Sequence, residues 1–133
     1  MLIRKDDGTI QEKTILSQSK WRFCQRDIYS KKGLRPRVIH EFVLVRCRTR
    51  KRTVTVPLGV QGIGYGVFEA NFRVHQVHLP PTLRVIGNHA FDGCTDLKTL
   101  TVPQGVEDIG EYAFRDCIDL KEVWLPSTLL RIG

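Results

Sequence analysis

His75 and His78 stand three residues apart, a spacing that raises the question of a metal, because zinc takes imidazole nitrogens and needs four ligands around it. The pattern of the flanking residues puts His75 in a turn and His78 on a strand, and no nearby cysteine or carboxylate completes a ligand set. His40 and His89 have no better partners in the sequence. The cysteines, Cys24, Cys47, Cys94 and Cys117, match neither a CxxC metal pair nor a short secreted disulfide framework. No Ser-His-Asp or Cys-His arrangement falls on neighbouring elements. These residues therefore imply no catalysis, no metal and no cofactor.

Charge offers a second kind of chemistry. The formal net charge is +7, but it is unevenly spread: up to Thr55 there are 15 Lys and Arg against 5 Asp and Glu, and beyond it 6 against 9. The basic residues are densest at Arg46, Arg48, Arg50, Lys51 and Arg52. Such a run can hold phosphates or an acidic surface, or serve as a nuclear address. Nucleic-acid binding through it would weaken steeply with added salt. Trp21 and Phe23 are too distant in sequence to supply base stacking for this run.

The elements that carry these residues follow from a repeat. Pro57, Pro80, Pro103 and Pro126 recur every 23 residues, and periods in the twenties point to a solenoid. Phe68, Phe91 and Phe114 share one column; Val67, Ala90 and Ala113 share the column before it. Ile63, Ile86, Ile109 and Ile132 are each followed by glycine. Stacked copies put equivalent side chains about 4.8 Å apart, so apolar columns bury one another where a single copy cannot. The segments "TVTV", "QVHL", "TLTV" and "EVWL" alternate with period two and read as short parallel strands. Val54, Val77, Leu100 and Val123 would point inward, with Val56, Leu79, Val102 and Leu125. The Ala-Phe segments are expected to form short helical turns.

Alternation then turns Thr55, His78, Thr101 and Trp124 outward in one row and Thr53, Gln76, Thr99 and Glu122 in the next. These rows form the expected protein-binding face, with Trp124 as the side chain best suited to an interface. Cys94 and Cys117 lie one repeat apart and point the same way, which favours buried thiols over a disulfide.

"LPPTLRVIGNHAFDGCTDLKTLTVP" and "VPQGVEDIGEYAFRDCIDLKEVWLP" resemble the BspA-like leucine-rich repeat in their proline, Ile-Gly, Ala-Phe, Cys and paired apolar positions. The resemblance covers Thr53 to Gly133. The copy from Val56 to His78 departs from it at Val67, Asn71 and Val74. It implies a leucine-rich-repeat solenoid, β-rich, with short parallel strands and short helical turns, that acts as a protein-interaction or assembly module without catalysis. A cell-surface adhesion protein is the alternative that it also implies.

Residues 1–52 read as a basic N-terminal β cap on repeats spanning 53–133, because the first repeat of a solenoid exposes unpaired backbone groups that an atypical segment covers. Asp7-Gly8 suits a hairpin turn, and Arg37 to Val45 a buried strand. The last repeat is truncated, which predicts either further chain or another molecule over that end, and so membership of a larger assembly. At 41% hydrophobic and 26% charged residues, the composition suits one globular domain. No apolar run reaches the ~18 residues of a membrane-spanning helix, and the opening residues lack the apolar core of a secretory signal. The cytoplasm is the expected compartment on that ground, and the cell surface on the ground of the resemblance.

Overall fold

The computed structural model describes the backbone of residues 2–4, 10–18, 21–30, 37–47 and 49–133, and the side chains of 43–47 and 49–133. Four strands come first: β1 Leu2–Arg4, β2 Ile10–Gln18, β3 Trp21–Ser30 and β4 Arg37–Cys47. Each pairs antiparallel with the next. The pairing of β1 with β2 agrees with the hairpin reading, while the Asp7-Gly8 turn itself lies outside the described residues.

From β4 onward the chain winds. Pairs of short strands follow, β5 Thr53–Thr55 with β6 Gly62–Ile63, then β7 Gln76–His78, β8 Val85–Ile86, β9 Thr99–Thr101, β10 Asp108–Ile109, β11 Glu122–Trp124 and β12 Arg131–Ile132. They stack into two parallel ladders. One runs β5-β7-β9-β11; the other, β6-β8-β10-β12, continues the antiparallel sheet through β4. Coil one therefore joins β4 to β5, coil two β6 to β7, coil three β8 to β9 and coil four β10 to β11. The register is one repeat, with Val54 beside Val77 and Leu100 beside Val123.

The columns meet inside. Val54, Val77, Leu100, Val56 and Val102 are buried as the alternation requires. Phe68 stacks on Phe91 with ring centroids 5.0 Å apart, and Phe91 on Phe114 at 5.7 Å. A further core column, Val60, Leu83 and Val106, is wholly buried beneath the proline turns. Leu125 departs from its inward assignment and is 49% exposed, because no further strand lies beside β11 among the described residues.

The Ala-Phe segments are not helical, and no helix occurs among the described residues. Residues 65–70, 88–93 and 111–116 are hydrogen-bonded turns. His89 and Tyr112 share a column with Gly66, and Ala70 and Asp116 share one with Gly93; all six have φ between 54° and 71°. Left-handed residues at that interval interrupt any right-handed run. The turns pair across coils instead, with Phe68 N–H donating to the Ala90 carbonyl and Phe91 N–H to that of Ala113, both at 2.8 Å.

Candidate functional site

The β5-β7-β9-β11 ladder has room for variation only on its outside. Its middle residues face the core, while Thr53, Thr55, Gln76, His78, Thr99, Thr101, Glu122 and Trp124 are all exposed. Thr53, Gln76, Thr99 and Glu122 stand in register across the four strands. Trp124 is 65% exposed, so its indole offers a broad apolar area at the edge of an otherwise polar surface. A shallow groove of about 150 Å³ runs beside Gln76, His78, Thr99 and Thr101. Hydroxyls, an amide and an imidazole line it, which suits hydrogen bonding and gives no paired acid and base.

Among the basic residues, Arg46, Arg50, Lys51 and Arg52 are exposed, and Arg48 lies outside the described residues. The Arg52 carbonyl accepts from the N–H groups of His75 at 2.7 Å and Gln76 at 3.1 Å. The run is thereby anchored to the first rung of the strand ladder. His75 lies 3.7 Å from Asp96, while His78 faces outward on β7.

His89 has a partner that the sequence reading did not give it. Its Nδ1 lies 2.7 Å from Oδ2 of Asp92, a carboxylate that is 4% exposed. Arg115 grips the same carboxylate twice, from Nη2 at 2.6 Å and from Nε at 3.0 Å. The Arg115 hydrogen bond first, and that of His89 second, hold the Asp92 carboxyl below the usual carboxylate range. Glu69 approaches closely enough for Glu69, His89 and Asp92 to form a potential cation cluster. A cation there would compete with Arg115, whose guanidinium already engages both Asp92 oxygens, so the group reads as a neutralised clasp between coils three and four. Its signal in the sequence is the 23-residue step that puts Glu69, Asp92 and Arg115 in one column. Tyr65, His89 and Tyr112 form an adjoining aromatic row with centroids 5.2 Å apart.

The thiols follow the same turns, Cys94 buried and Cys117 partly buried. Cys94 Sγ donates to the Phe68 carbonyl at 2.9 Å and Cys117 Sγ to that of Phe91 at 3.0 Å. Both are free. Burial pushes the Cys94 thiol up to about 12, so it is poorly suited to act as a nucleophile.

The BspA type leucine rich repeat region matches residues 37–133 in six copies. The match starts upstream of Thr53 and takes in β4, whose Val43 and Leu44 pair with Gly62 and Ile63 as later coils pair with one another. No curated protein matches the chain. Among solved structures, a leucine rich cell surface protein from Faecalibacterium prausnitzii is 25% identical with a TM-score of 0.60, over 79% of this chain and 28% of that one. A leucine-rich repeat protein from Bacteroides ovatus is 26% identical with a TM-score of 0.62, over 86% and 30% respectively. The chain thus spans less than a third of the length of either. A leucine-rich repeat protein from Bacteroides capillosus, 19% identical with a TM-score of 0.53, shares the fold.

Proposed function

Because the chain belongs to the BspA type leucine-rich repeat family, we propose that it is a non-catalytic interaction or assembly module whose outward strand face takes a protein partner. The observation that carries this reading is the pair of exposed, in-register rows on the β5-β7-β9-β11 ladder, ending in Trp124. Backbone pairing fixes the spacing of those side chains, so little conformational entropy is lost when a partner orders them. An exposed tryptophan beside the Thr101 hydroxyl, on a face of mostly uncharged hydrogen-bonding groups, has the make-up of an interface centre.

The test is a crosslinking pull-down from the source cells with the intact chain, with His78→Ala plus Trp124→Ala, and with Arg46, Arg50, Lys51 and Arg52 neutralised. Circular dichroism would verify that each variant folds. Loss of partners only in the first variant supports the strand face. Loss only in the second would move the interaction to the basic run and sink this reading.

A second reading, adhesion at a cell surface, draws on the Faecalibacterium relative, which is described as a cell surface protein. Antibody labelling of intact source cells tests it: signal without permeabilisation supports adhesion, and signal only after permeabilisation excludes it.

A further inference from the structure

Coil one is in register with coil two at both ends of the turn segment, but it is too short in between. Gly64 N–H donates to the Leu44 carbonyl at 2.8 Å, and His75 N–H to that of Arg52 at 2.7 Å. Residues 45–51 lie between Leu44 and Arg52 in coil one, whereas residues 64–74 lie between the equivalent Ile63 and His75 in coil two. Coil one thus lacks four residues that later coils have, and a notch of about 450 Å³ opens there. That volume falls within the ~300 to 1,000 Å³ range of ligand sites.

The notch has a backbone edge. In coil three the carbonyls of Asn88, Ala90 and Asp92 accept from the N–H groups of Gly66, Phe68 and Ala70 at 3.1, 2.8 and 2.8 Å. Coil four repeats this, with Glu111, Ala113 and Arg115 accepting from coil three. The equivalents in coil two are the carbonyls of Tyr65, Val67 and Glu69, and among the described residues no N–H donates to them. They form a row of acceptors at alternate residues, which a docked segment satisfies when, like the turns of coils three and four, it presents N–H groups toward them.

The sequence departures of coil two fall at this notch. Val67 stands where later coils have alanine; with no turn segment stacked on that side, the larger side chain is accommodated. Asn71 stands where later coils have cysteine. A cysteine there would need a phenylalanine-column carbonyl in coil one, as Cys94 uses that of Phe68. Asn71 Oδ1 instead accepts from the N–H groups of Arg73 and Val74 in its own turn.

We propose that this notch binds a peptide segment in which an apolar side chain stands next to a carboxylate. Alternate N–H groups of the peptide would pair with the three carbonyls. Its apolar side chain would lie against Cys47, Val67 and Phe72, the last 60% exposed, and its carboxylate would meet Arg50 and Arg73 on the rim. Arg46, Lys51 and Arg52 are exposed nearby in sequence, whereas Glu69 is the one acid lining the notch among the described residues. The residues involved are separate from the strand face, so this site stands or falls independently of that reading.

A phage-displayed pool of random decapeptides panned on the intact chain supplies the probe, and fluorescence anisotropy measures the best peptide after resynthesis. The expected peptide carries Asp or Glu beside an apolar residue, and N-methylation of its donating N–H groups weakens it by at least ~10-fold. Arg50→Glu plus Arg73→Glu weakens it similarly, as does lengthening coil one by four residues copied from coil two. His78→Ala plus Trp124→Ala leaves it unchanged. N-methylation alters the peptide alone, so that comparison holds even if the lengthened coil fails to fold. Failure to enrich any peptide, or affinity that survives both N-methylation and charge reversal, overturns the proposal. So would displacement by an equal concentration of oligothymidylate, which would assign the rim to nucleic acid, or self-association of the chain through the notch.

Discussion

Coils three and four carry nearly the same sequence pattern, yet only one of them has a full core. Phe91, Cys94 and Leu97 are 0% exposed and Leu100 is 1%. Their counterparts Phe114, Cys117, Leu120 and Val123 are only partly buried. Identical chemistry reaches different burial because a solenoid coil borrows half its packing from each neighbour. The largest test of this is Phe91→Ala, which should cost ~3 to 5 kcal/mol, as expected for an emptied aromatic core site. Phe114→Ala should cost about half as much, since one of its faces lacks a stacked ring. Urea denaturation of the 133-residue chain measures both, and equal costs would mean that burial is set within each coil.

Glycines sharpen the comparison by separating closeness from conformation. A Cβ on Gly87 would stand 2.8 Å from the Ile63 carbonyl oxygen and 2.9 Å from the Gly64 carbonyl carbon. Only backbone could yield there, so Gly87→Ala should cost about 3 kcal/mol, the upper part of the overpacking range. At Gly93 the nearest atom would be Ala70 Cα at 3.6 Å, but φ is +71°. Gly93→Ala therefore isolates the backbone penalty, at ~1 to 2 kcal/mol. Reversal of that order in thermal melts would mean that coil spacing is softer than the ladder implies.

The clasp between coils three and four gives the pH dependence. Asp92 has a folded pKa below its ordinary value, held there by Arg115 and His89. Its contribution is therefore complete above about pH 5, where the unfolded carboxyl is already ionised, and is lost as pH falls through the lower folded pKa. Asp92→Asn should melt lower at neutral pH and lose less on acidification. Asp108, similarly lowered by Arg131, makes its pair with a side chain that is 78% exposed, so Asp108→Asn should flatten the acid limb less. Equal flattening would count against a special role for the buried carboxylate.

The solenoid was legible because its columns are chemical: prolines, Ile-Gly steps and phenylalanines repeat at one interval, and alternation assigns the faces of the strands. The Asp92 clasp was harder to see because His89 lies outside the column that holds Asp92 and Arg115, and a column joining glutamate, aspartate and arginine has no apolar signature. The notch was hidden for a different reason. It arises from four residues that are missing from coil one, where β4 stands in the isoleucine column without the Ile-Gly motif. Val67 and Asn71 were visible as departures, but their cause lies in the coil beside them. The helical expectation for the Ala-Phe turns failed because left-handed residues hide there: His89 and Tyr112 give no hint of positive φ, and only Gly66 and Gly93 hint at the columns.

Those columns yield the smallest and most directional prediction. Ala70, Gly93 and Asp116 occupy equivalent left-handed positions, with φ of 54°, 71° and 55°. Alanine pays a steric penalty in this region that glycine avoids. Ala70→Gly removes that penalty but also loosens the unfolded chain, which returns ~0.4 to 1 kcal/mol of the gain. The net stabilisation should be about 0.5 kcal/mol, visible as a small rise in urea midpoint at unchanged slope. Asp116→Gly relieves the same strain while removing a carboxylate 3.9 Å from Arg115 Nε, a contact worth little at an exposed site. It should therefore stabilise to a similar extent. If Ala70→Gly destabilises while Asp116→Gly stabilises, then the Ala70 methyl group contributes packing beside the notch that exceeds the strain it carries.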